Sequence, residues 1–128
     1  MKTLTPTTVT VPASTALIAG LADDLTGFHP AMDRAVAALA ELAVADLDID
    51  GSQTAVAALG GFTDGSLATL LGLVLRHIAS PDHNPALADL PDDRKQLLRR
   101  LGAEYAAALA DSYVVQLASE ASAAIEGV

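Results

Sequence analysis

The last third of the chain carries an apolar side chain at every fourth position: Leu97, Leu101, Tyr105, Leu109, Tyr113, Leu117, Ala121 and Ile125. Four residues advance an α-helix by about 400°, so such a row drifts by about 40° at each step. Across the run it turns by about 280°. One straight helix over residues 91–126 therefore cannot direct the whole row into one core. Either the helix breaks near residues 110–112, or its two halves pack on different neighbours. A second stripe in the C-terminal half, Val114, Ala118, Ala121, Ile125 and Val128, is rich in small residues that permit close approach of another helix. We expect Leu109, Tyr113, Leu117, Ala121 and Ile125 to form an interface with a second chain.

The rest of the sequence reads as helix too. Hydrophobic residues make up 52% of it and aromatic residues only 3%. A core of alanine and aliphatic side chains favours helix packing, because alanine is the best helix former and sheets draw on β-branched and aromatic residues. Leu17, Ile18, Leu21, Leu25 and Phe28 follow helical spacing over residues 14–26, with Gly27 as the stop. Pro30 suits a first helical position, and Met32, Val36, Leu39, Ala43 and Leu47 form the stripe of a second helix over 30–45. A short helix is expected over 52–59, capped by Ser52 and ended by Gly60 and Gly61. Asp64 then caps a helix over 65–79 that is apolar on almost every side, which belongs at the centre of a bundle. The expected fold is all-α: a compact bundle of about five helices with a long C-terminal helix.

Residues 1–13 are Thr-rich and carry Pro6 and Pro12, so they read as a flexible or arm-like segment ahead of one helical domain over 14–128. The apolar run at 67–75 falls far short of the ~20 residues that a membrane helix needs. No secretory signal is visible after Lys2. Cysteine is absent, which removes disulfides, thiolate metal sites and thiol nucleophiles and fits a reducing cytoplasm.

The formal net charge is -9. It argues against nucleic acid and anionic membranes as partners, since phosphate neutralisation supplies most of a DNA binder's affinity. Arg94, Lys95, Arg99 and Arg100 form the one basic cluster, and they carry the alternative of a small helical DNA-binding or regulatory protein. Asp92 lies three residues before Lys95, so a salt-bridged, solvated face accounts for the same cluster.

Asp46, Asp48 and Asp50 alternate ahead of Gly51, as in the first half of a calcium-binding loop. They are the candidate ligands of a cation-binding module, with calcium as its cofactor. The twelfth loop position, where a bidentate Glu belongs, is Ala57, and a polar turn that caps the next helix explains the same residues. His29, His77 and His83 lack the spacing of a helical metal site. Asp82 beside His83 invites a catalytic reading, but neither a serine-hydrolase elbow nor a phosphate-binding glycine loop is present. The function expected from the sequence is non-enzymatic: an acidic helical protein that acts through protein–protein interaction and self-associates as a homo-oligomer.

Overall fold

The computed structural model describes residues 5–62 and 65–125. All regular structure among them is helical, and no strand occurs. Six α-helices are formed: α1 (Thr5–Asp24), α2 (Pro30–Ala43), α3 (Ile49–Val56), α4 (Leu67–Ile78), α5 (Asp92–Leu109) and α6 (Ser112–Ile125). A π-turn over Ala57–Gly61 extends α3, and a 3-10 turn spans Pro85–Leu87. No described helix is long and apolar enough to cross a membrane.

The chain divides into two compact units, Met1–Asp46 and Leu47–Val128, where the sequence reading expects a single domain over 14–128. The division falls inside the Asp-rich stretch, where apolar periodicity lapses. The arm-like reading of residues 1–13 is corrected from Thr5 onward, because α1 starts there and not at residue 14. Pro6 sits in the first turn, where its missing N–H has no intrahelical partner anyway. Pro12 lies inside the helix and forgoes one backbone bond there. Residues 1–4 lie outside the described residues.

In the first unit α1 and α2 form a helical hairpin. Gly27, at φ +93°, turns the chain in a region that side chains rarely adopt, and its N–H donates to Asp33 Oδ1 at 3.0 Å. His29 is the N-cap of α2: its Nδ1 accepts from the Ala31 N–H at 2.9 Å, with Pro30 next as expected. Val36 alone among the large apolar residues described in this unit is buried.

In the second unit the expected break in the C-terminal helix is real. Asp111 ends the run by capping α6: its Oδ1 accepts from the Tyr113 N–H at 2.8 Å. The two halves also take different neighbours, α5 packing on α4 and α6 packing on α3 and the π-turn. Gly72 and Ala106 are buried where α4 crosses α5. On the other side a Cβ built on Gly60 would lie 3.3 Å from the Ala118 Cβ, and one on Gly61 only 2.9 Å from the Ser119 nitrogen. Buried Ser122 donates its hydroxyl to the Gln53 carbonyl at 3.0 Å. Part of the small-residue stripe thus serves contact within the chain.

Two local expectations change. The cap of α4 is Ser66, whose N–H donates to Thr69 Oγ1 at 3.2 Å; Asp64 lies outside the described residues. The short third helix starts at Ile49, capped by Asp48 and not by Ser52.

Candidate functional site

Helix α4 is the most apolar element; within its unit it packs on α5 and, less extensively, on the π-turn. Gly72 and Arg76 face α5: a Cβ on Gly72 would lie 3.0 Å from the Ala106 Cα, and the Arg76 Cα lies 3.3 Å from a Cβ built on Gly102. At about 100° per residue, Leu70, Val74 and Ile78 point away from that contact. They are 54%, 46% and 59% exposed. The expectation that α4 lies at the centre of a bundle is therefore not met inside this unit.

Helix α6 shows the same division. Ser122 is buried and Val115, Ala118 and Ile125 are half-buried toward α3 and the π-turn, while Tyr113, Leu117 and Ala121 are exposed. Of the expected interface row, Leu109 and Ile125 are half-buried and the middle three face solvent. In the hairpin unit, Ile18, Leu21 and Leu25 face Val36, Leu39 and Ala43 across an open trough of about 290 Å³.

A cleft of about 430 Å³ lies between the end of α4 and α5. Arg76, His77, Ser80, Asp82, His83 and Arg99 line it, with Leu73 as its apolar wall. Arg99 grips Asp82 with both forks, Nε to Oδ2 and Nη2 to Oδ1, each at 2.9 Å. That bidentate hydrogen bond holds the Asp82 carboxyl below its ordinary pKa and raises the Arg99 guanidinium. The His77 and His83 rings stack at 4.9 Å between centroids. His83 Nδ1 lies 3.1 Å from the Ser80 hydroxyl, which also accepts from the Asp82 N–H at 3.2 Å. Asp82 therefore serves Arg99, and the sequence-adjacent Asp82–His83 pair forms no catalytic dyad. Sequence reasoning misses this cluster because Arg99 and Asp82 stand 17 residues apart. Its one sequence signal is a pair of histidines flanking a Ser-Pro turn, which carries no helical periodicity.

The basic cluster is split up by these contacts. Arg99 is engaged by Asp82, and Arg100 Nη1 lies 3.7 Å from Glu104 Oε2. Arg94 is exposed and Lys95 half-buried. Two of the four cations are thus matched with carboxylates.

The calcium-loop residues are also spoken for in part. Asp48 Oδ1 accepts from the Gly51 N–H at 2.6 Å, and Asp50 lies in the first turn of α3, where a negative charge suits the helix dipole. A Cβ on Gly51 would lie 2.9 Å from that Asp48 oxygen, so the glycine serves the cap. Asp46 is exposed and falls in the other unit. Among the described residues no three His, Cys, Asp or Glu side chains are grouped to hold a metal ion.

The chain matches no protein-family model, and no curated protein or solved structure is significantly similar to it.

Proposed function

We propose that this chain is a helical interaction protein that self-associates through the uncovered apolar face of α4. The supporting observation is the exposure of Leu70, Val74 and Ile78, a row of large aliphatic side chains one helical turn apart. Singly exposed apolar residues are ordinary, but a continuous row on one helix face marks a contact surface. The occupant is the same face of a second copy. A two-fold pairing sets a patch against itself, so an uncharged, aliphatic row meets its own complement without a charge conflict. That matters in a chain of net charge -9, whose like-charged surfaces otherwise repel. Tyr113, Leu117 and Ala121 of α6 form a second exposed row.

Light scattering after size exclusion, across a concentration series, tests the reading. A mass at a multiple of 13.0 kDa supports it. The variant Val74→Glu then shifts the mass toward the monomer while keeping its helical circular dichroism. A monomer at every concentration overturns it, as does an oligomer that Val74→Glu and Leu70→Glu leave intact.

A further inference from the structure

We infer that the cleft between α4 and α5 is a binding site for a small phosphate monoester. The cleft reverses the charge of the molecule locally. The chain holds 7 Lys and Arg residues and 3 His against 16 Asp and Glu. Arg76, Arg99, His77 and His83 nevertheless line this one cleft, with a single carboxylate among them. Lys95, one turn before Arg99 on α5, adds a positive field at Asp82, and Asp92 adds the opposing field at Arg99.

The carboxylate in the cleft is already committed. Both Asp82 oxygens receive guanidinium N–H groups, so Asp82 fixes the plane of Arg99 and leaves its remaining N–H donors for a ligand. Arg76 has no ion-pair partner among the described residues. Three carbonyls at the end of α4 already have donors. The Leu75 carbonyl accepts from the Ala79 N–H, His77 from the Ser80 N–H, and Ile78 from Asn84 Nδ2 at 2.8 Å. Ser80, buried at the base of the cleft, supplies a hydroxyl beside His83.

Guanidinium and imidazole donors on several sides suit a tetrahedral dianion with several acceptor oxygens. The volume of about 430 Å³ exceeds one phosphate group, and Leu73 offers the organic part an apolar wall. The ligand class that follows is a phosphate ester on a small organic body.

Inorganic phosphate is the first probe, titrated into the full chain and followed by the imidazole proton resonances at constant ionic strength against chloride. His77 and His83 are expected to shift together and saturate. His29, which caps α2 in the other unit, stays still and serves as the internal control. Arg76→Gln weakens the binding about tenfold or more, the scale of one charge-assisted hydrogen bond. Arg94→Gln, outside the cleft, leaves it unchanged. A sugar phosphate and a phosphoserine peptide then distinguish a free metabolite from a modified partner chain: the tighter of the two names the source. Three histidines that shift alike, an equal response to chloride, or undiminished binding by folded Arg76→Gln overturns the site.

Discussion

A Cβ built on Gly72 would lie 3.0 Å from the Ala106 Cα, so α4 and α5 meet backbone to backbone. Alanine at a helix interior ordinarily stabilises by about 0.5–1 kcal/mol over glycine. Here the added carbon presses on main chain, and overpacking costs about 1–3 kcal/mol. Gly72→Ala is expected to lower stability by about 1 kcal/mol, and Gly72→Leu by more. Chemical denaturation checks this; a gain for the alanine variant contradicts the close crossing.

Ser122 ties α6 to α3 through the Gln53 carbonyl. That carbonyl also accepts the Ala57 N–H, so it keeps a partner when the hydroxyl is removed. Ser122→Ala is therefore expected to cost about 0.5–1 kcal/mol, the low end for a lost hydrogen bond. Ser122→Leu, which inserts volume against α3, is expected to cost about 1–3 kcal/mol. Thermal or urea melts of both variants separate the two effects.

The carboxylate of Asp48 caps α3. Asp48→Ala is expected to destabilise by about 1 kcal/mol and Asp48→Asn by much less, because asparagine caps equally well. If capping is the role of this residue, millimolar calcium leaves the melting temperature unchanged. A calcium-dependent rise abolished by Asp48→Asn would instead make the carboxylate a ligand.

Arg99 holds the Asp82 carboxyl below its ordinary pKa. A lowered folded-state pKa gives stability that is present above the unfolded value and lost as pH falls through the folded value. The wild type is expected to lose stability on acidification below about pH 4 more than Arg99→Gln, in which the shift is absent. The pair is exposed to solvent, so the difference is small and shrinks with added salt. Melting curves over that pH range at low and high salt check both the sign and the screening.

Much of the local structure is legible in the residues themselves. Gly27 followed by His29-Pro30 marks the hairpin turn, since glycine takes positive φ and proline suits a first helical turn. The fourfold row from Leu97 to Ile125 demands a break or a change of neighbour, and Asp111 supplies the break while α4 and α3 supply the two neighbours. Asn84 followed by Pro85 marks the 3-10 turn, with the Asn84 side chain accepting from the Ala86 N–H. Local propensity misjudges residues 5–13, where threonine and proline argue for an arm and the backbone continues as helix. It also moves the cap of α3 to Ser52, because a capping side chain is chosen by where the backbone turns, and Asp48, Asp50 and Ser52 look alike in one dimension.

The sequence by itself determined the helical class, most of the helix ends and the shortage of aromatic core, because these follow from residue type and from spacing within one or two turns. Only the tertiary structure decided which apolar faces are used and which are left over. The small residues of α6 meet Gly60 and Gly61, whereas Leu70, Val74 and Ile78 stay uncovered in their unit, since an apolar stripe does not state its partner. The cleft is tertiary for the same reason. Arg76, His77, Asp82, His83 and Arg99 converge because Gly72 and Gly102 let α4 and α5 approach closely, and no periodicity in one chain segment encodes a meeting between two.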